Sequence, residues 1–385
     1  MPRVQPHIVG ASLLSAAGSL PLHVLPVLVA TLSADGVMGP AAVGWVGAAF
    51  LCGQLVSSLA LPALGLLGLS GRQALIAVVL VLCALGIASL GVAAAILPSW
   101  FAIGLACGSF AFLGATASAN ATDPRAAFSL RLACILWLAT ITIVSLQLFP
   151  SAISYHSLVL VLGITFLAVC GCGLALIRTA PAVPRKAVGT PGRDRSSMQR
   201  AASGLAATFL LFVGQPGFWA YTMFIAVQKG LAIGGIVWAI ALAKLASGIL
   251  LFHISSKPPS KKPATALLAL GGAGCAAAIA VVFNAPSVVV FFAGIIVWEV
   301  SLNVMSARFQ AEVVIVAPQV AGPWLTAAIM LGAATGPVVH GAAIQASRGA
   351  IFIAYSCLSA LVPLIWYLMR KSRTAPPTQA ATADG

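Results

Sequence analysis

Apolar runs closed by Gly, Pro or a charged residue recur along the whole chain. Each approaches the roughly 20 residues that a helix needs to cross a bilayer. They predict helices near 7–31, 41–64, 74–94, 99–119, 127–149 and 156–178, then near 203–227, 235–254, 265–284, 288–309, 321–343 and 351–369. A basic, Pro-rich stretch from Thr179 to Arg200 separates the two sets of six and cannot insert in a bilayer. The pattern predicts an all-α polytopic membrane protein with twelve transmembrane helices in two bundles. Residues 1–178 form the N-terminal bundle, 179–202 a basic cytoplasmic linker, 203–369 the C-terminal bundle, and 370–385 a disordered tail opened by Arg370, Lys371 and Arg373. The first run exceeds a signal-peptide core and contains Pro21, His23 and Pro26, so it reads as the first membrane helix.

Composition removes the soluble alternative. The 385 residues are 61% apolar and 7% charged, with a mean hydropathy of +1.08, whereas soluble domains are about 25% charged. The net charge of +14 would point to nucleic acid in a soluble chain. Here the basic residues sit in the breaks between helices. Twelve helices with a cytoplasmic N-terminus place sixteen Lys and Arg on the cytoplasmic side and only Lys229 and Arg348 outside. That asymmetry predicts both termini in the cytoplasm. The compact chain fits a bacterial inner membrane, and nucleic-acid binding is not expected. All eight cysteines fall inside apolar runs, where Cys is a small hydrophobe. Cys170 and Cys172 lack a second pair or a nearby His, so no metal site is expected.

Two segments carry a family resemblance. The stretch from Gly65 to Ile76 looks like a reduced form of the loop 2-3 signature of the major facilitator superfamily, keeping Gly71 and Arg72 but placing Gly68 at the acidic position. In the eleventh helix, GAATGPVVHG from Gly332 to Gly341 is similar to the GxxxGP pattern of the family's antiporters, although theirs lies in the fifth helix. With the six-linker-six plan, the whole chain resembles that superfamily. The resemblance implies two pseudo-symmetric bundles that rock about a central site, with Gly71, Arg72, Gly332, Gly336 and Pro337 in gating. Physically, Gly332 and Gly336 permit close helix approach and Pro337 permits a bend. The segment Asp123-Pro124-Arg125 reads as an N-cap followed by a first-turn proline. Arg131, two turns on, reads as a snorkelling side chain or a partner of Asp123.

Charge inside a membrane helix costs about 2.5 to 3.5 kcal/mol per residue on insertion scales and marks function. Lys244 in the eighth predicted helix and Glu299 in the tenth lie at matching depths, which makes an ion pair geometrically possible. We expect Glu299 to carry a proton under the control of Lys244, with His23 as a second titrating group. Asn303 shares the Glu299 helix face four residues on. Gln215, Trp219 and Tyr221 lie beside Gly and Pro residues expected to interrupt the seventh helix, and Gln54 lies midway along the second. These five are the candidate substrate contacts.

No P-loop, metalloprotease or serine-hydrolase motif is present, so no enzymatic activity is expected. The expected function is secondary active transport of a small organic solute by alternating access, coupled to protons, with symport of an organic anion preferred. Proton-coupled efflux of hydrophobic or cationic compounds is the alternative. A non-transporting receptor or assembly protein is the rival of another class. The expected partners are the solute, protons and the lipid bilayer, engaged by a monomer without a cofactor.

Overall fold

A computed structural model describes residues 5–34, 40–64, 71–147, 154–178, 195–231, 233–257, 264–317, 323–345 and 349–374. Most of the linker (179–194), Gly68 of the loop signature and the tail from 375 lie outside these. The described residues form thirteen α-helices and no strand. In the first half these are α1 (Pro6–His23), α2 (Leu25–Ala34), α3 (Pro40–Ala63), α4 (Gly71–Ser89), α5 (Ala93–Ala119), α6 (Pro124–Gln147) and α7 (Tyr155–Arg178). The second half holds α8 (Arg195–Gln228), α9 (Ile233–Ser256), α10 (Ala264–Asn284), α11 (Val288–Val316), α12 (Pro323–Gln345) and α13 (Gly349–Thr374).

Among the described residues, eleven spans are long and apolar enough to cross a membrane, with α1 and the start of α2 counting as one. Helix α3 adds a shorter apolar stretch, Trp45–Leu61. Large apolar side chains face outward on these helices, among them Leu160, Ile164, Val289 and Leu358. A backbone that satisfies its own hydrogen bonds and an apolar exterior are what lipid requires. The chain is an integral membrane protein.

The packing repeats between the halves. In the first, α5 packs on α3 and α4, α1 on α6 and α7, and α4 on α7. In the second, α11 packs on α9 and α10, α8 on α12 and α13, and α10 on α13. Adding six to each label converts one set into the other once α1 and α2 are taken together as the counterpart of α8. The bundles meet through α6 with α9 and α3 with α12, two contacts that the same relation exchanges, and α6 also touches α11. Part of this seam is a small apolar cluster of Ala133, Leu136, Leu251 and Ala307. Beside it the Trp137 indole presses on Gly248, where a Cβ would meet the ring.

Two local readings are corrected. The first predicted helix is two helices, broken at Val24, because Pro26 has no N–H for the Leu22 carbonyl and its ring crowds that turn. The seventh is not interrupted: α8 runs unbroken through Pro216 and starts at Arg195, within the stretch assigned to the linker. Neighbouring helices and the length of α8 hold Pro216 in place. The cap is as read, with the Arg125 and Ala126 amides donating to Asp123 Oδ1 at 3.0 and 3.3 Å.

Candidate functional site

Between the bundles lies a cavity of about 110 Å³, lined from the first half by α1 and α6 and from the second by α8, α9, α11 and α12. A water needs about 10–15 Å³ measured this way, so several water-sized groups fit. Four polar side chains of α11 line it at helical spacing: Glu299, Asn303, Ser306 and Gln310. The increments of four, three and four keep them on one face.

At one end of that stripe Lys244 Nζ donates to Glu299 Oε1 at 3.0 Å, with both side chains almost fully buried. The same ammonium lies 3.3 Å from His23 Nδ1, across the bundle boundary, and 4.5 Å above the Trp219 ring. An ammonium only donates, so this contact makes Nδ1 the acceptor and leaves the His23 proton on Nε2. Asn303 Nδ2 donates to Glu299 Oε1 at 3.2 Å and to the Glu299 carbonyl at 2.7 Å. Trp219 stacks on Trp298, with centroids 5.6 Å apart and planes 11° from parallel. Trp298 donates to Gln215 Oε1 at 2.8 Å, and Gln215 donates in turn to the Ser356 carbonyl and Ser359 Oγ of α13.

At the other end lies Arg131, which is 4% exposed. Its Nε donates to Ser15 Oγ at 2.7 Å and its Nη1 reaches Gln310 Oε1 at 3.5 Å. No carboxylate pairs with it among the described residues. Arg131 therefore neither snorkels nor bonds Asp123, because α1 and α11 pack over it. With the Lys244–Glu299 pair neutral overall, the lining carries one surplus positive charge. In the sequence Arg131 reads as a snorkelling side chain or a partner of Asp123 rather than a cavity residue, since one basic residue near a helix start resembles an interfacial anchor. Its signal was the absence of any acid three or four residues away on α6.

The other candidates lie elsewhere. Gln54 is fully buried, donates to the Gly18 carbonyl at 2.7 Å and does not line the cavity. Gln215 stands behind Trp298. The Tyr221 hydroxyl donates to the Pro337 carbonyl at 3.0 Å, outside the cavity. Gly332 and Gly336 lie against the α8 backbone at Phe209 and Val213, where any Cβ would collide. Arg72 is exposed at the start of α4, next to Gly71, and forms no ion pair among the described residues.

A second charged group lies two residues beyond Gln310 on α11, toward the linker end, where α7 finishes and α8 begins, and none of its members lines the cavity. Glu312 Oε1 accepts from Arg125 Nε at 3.2 Å and Nη2 at 2.9 Å. Arg308 Nε lies 3.1 Å from the same oxygen without hydrogen-bond alignment, and Arg370 Nη1 is 3.9 Å from Oε2. Arg125 belongs to α6 and the other three to the second half.

A two-bundle helical membrane protein with a polar cavity at the pseudo-symmetry boundary has the architecture of the major facilitator fold. Consistent with this, the chain is similar in structure to the human organic anion transporter MFSD10 (TETRAN), with a TM-score of 0.66 over 94% of this chain and 97% of that one. The two sequences are 16% identical, so the likeness shows the fold alone. No family model and no curated protein matches the sequence.

Proposed function

We propose that the chain is a secondary active transporter that moves a small organic anion by alternating access and couples its movement to protons. The observation that carries this reading is the buried Lys244–Glu299 pair, touched by His23 of the opposite bundle, inside a cavity with a surplus positive charge. A buried pair is weak as a stabiliser, because desolvation offsets much of its attraction. Its value lies in what a proton does to it. Protonating Glu299 removes the negative charge, leaves Lys244 uncompensated and makes the cavity more receptive to an anion. Loss of the anion lets ionised Glu299 pair again with Lys244 and so favours release of the proton, and solute and proton travel together as a symport. The charge balance of the lining favours this over efflux of a cation, and the structurally similar protein is an organic anion transporter. Trp219, Asn303 and the Trp298 platform held by Gln215 contact the solute, Tyr221 and Gln54 brace the helices around it, and Gly332, Gly336 and Pro337 allow α12 to move against α8. The Gly71–Arg72 turn serves the linker-end gate. The protein operates with both termini in the cytoplasm, in a bacterial inner membrane.

The test is proton movement in proteoliposomes challenged with small carboxylates, sugars and hydrophobic cations. A carboxylate-dependent pH change in the wild type that disappears in Glu299→Gln is expected. Coupled uptake that survives Glu299→Gln overturns the assignment of the proton site.

A further inference from the structure

The cavity holds two cations in unlike circumstances. Lys244 has all its directions taken: Glu299 at 3.0 Å, His23 at 3.3 Å and the Trp219 ring at 4.5 Å. Arg131 does not. Its Nε is used by Ser15, its Nη1 has only the long contact to Gln310, and its Nη2 has no protein partner among the described residues. Yet the residue is 4% exposed and lines the cavity. A guanidinium presents its two Nη groups as a planar fork that matches the two oxygens of a carboxylate. Here the fork's opposite side is anchored on Ser15 while its Nη edge opens on the cavity.

Burying a cation without an anion is costly unless a ligand supplies one. The groups around Arg131 supply none: Ser15 and Gln310 are neutral, and Leu132, Ile135 and Ile329 line the nearby wall. Along α11, Gln310 lies eleven residues from Glu299, which is about 16 Å at 1.5 Å per residue. Arg131 is therefore separated from the proton-carrying pair by most of the length of the polar stripe.

We infer that Arg131 is a carboxylate-binding residue, and that its open guanidinium edge receives the single carboxylate of a monoanionic solute whose apolar body packs on α6 and α12. This rests on the transport reading and deepens it, because it separates the anion site from the proton site. The anion meets Arg131 whether or not Glu299 is protonated. When Glu299 is neutral, the uncompensated Lys244 at the far end of the stripe adds a longer-range attraction to the anion held at Arg131. With Glu299 ionised a dianion exceeds the single surplus charge, and a neutral solute leaves Arg131 unpaired, so neither fits the empty fork of this state as well.

The test uses the full chain purified in detergent and acetate, hexanoate and benzoate, each beside its primary amide, with binding read by calorimetry. At least one carboxylate is expected to bind the wild type at least tenfold more tightly than its amide. Arg131→Gln should lose that discrimination. Gln310→Glu places a carboxylate against the open edge; it should abolish binding while melting at or above the wild-type temperature, and it decides the matter if Arg131→Gln does not fold. The proposal is overturned if no carboxylate binds the wild type, if amides bind as well, or if folded Gln310→Glu binds as the wild type does. Carboxylate binding through Arg131 without solute movement in proteoliposomes would refute transport and leave the site standing. Carboxylate uptake that persists in Arg131→Gln would do the reverse.

Discussion

Two ion-pair groups share helix α11 and differ in what they join. Lys244–Glu299 links α9 to α11, both in the second bundle, whereas Arg125–Glu312 links α6 of the first bundle to α11 of the second. Rocking the bundles as rigid bodies leaves the first pair intact and must separate the second. Depth differs as well. The carboxylates are alike, Glu299 being 4% and Glu312 5% exposed, but Lys244 is 1% exposed in its side chain and Arg125 is 37% exposed, so salt and water reach the outer pair through its arginine. On the proposed transport reading, a pair within one bundle and shielded from water would store a charge state. A pair across the seam, with its arginine open to water, would hold a conformation. The contrast separates the two pairs by topology rather than by residue type.

The sharpest way to break this contrast is to remove one partner of the deep pair. Lys244 left alone costs about 3–5 kcal/mol, so Glu299→Leu should lower the melting temperature strongly and abolish coupling. The double replacement Lys244→Met with Glu299→Leu should recover stability without recovering coupling. A single variant as stable as the wild type would mean that water reaches the pair and that its burial is not what distinguishes it.

An intermediate effect is expected where the seam holds no charge. Gly248→Val drives a side chain into the Trp137 indole and should cost about 1–3 kcal/mol by overpacking, with faster cysteine labelling of residues lining the cavity. Labelling unchanged from the wild type would show that the apolar seam contributes little to closure.

The outer pair should matter less for stability. Because Glu312 is itself buried beside three arginines, Glu312→Gln is expected to cost about 1–3 kcal/mol, while raising accessibility of the cavity from the linker end, and high salt should produce the same opening in the wild type. Exchanging the charges, with Arg125→Glu and Glu312→Arg together, should restore closure only in part, because Arg308 and Arg370 remain beside position 312. If Glu312→Gln destabilised the fold as much as Glu299→Leu, exposure would not separate the two pairs. The smallest effect belongs to the cap next to the gate. Asp123→Ala loses two amide acceptor contacts and should cost about 1 kcal/mol, read as a lower melting temperature with closure retained.

Much of the fold was legible because lipid imposes a simple rule on sequence. Long apolar runs must be helices, and charge must lie between them, so the runs from Gly71 to Ser89 and from Ala264 to Asn284 could be found by inspection. Helix ends were less legible. The α8 start at Arg195 carries Ser, Gln and Arg, which suit an interfacial helix as well as a linker. Breaks were harder still, since Pro26 ends a helix while Pro216 is absorbed by one, and only the packing around each decides. The pairing of Lys244 with Glu299 followed from depth, which is a count along each helix. The cavity placement of Arg131 depends on how α1 and α11 close over α6, and no local count contains that. Glu312 was missed because the predicted helix ended at 309, short of the turn that carries it.

The polar stripe on α11 makes that helix sensitive to phase. Inserting one residue between Asn303 and Ser306 would rotate everything beyond it by about 100°, turning Ser306, Gln310 and Glu312 away from α6 together while leaving Glu299 in place. Inserting a full turn of four residues would roughly restore the facing but lift one end of the stripe by about 6 Å. A change in the length of α11 must therefore be compensated on α6 and α9 in the same step.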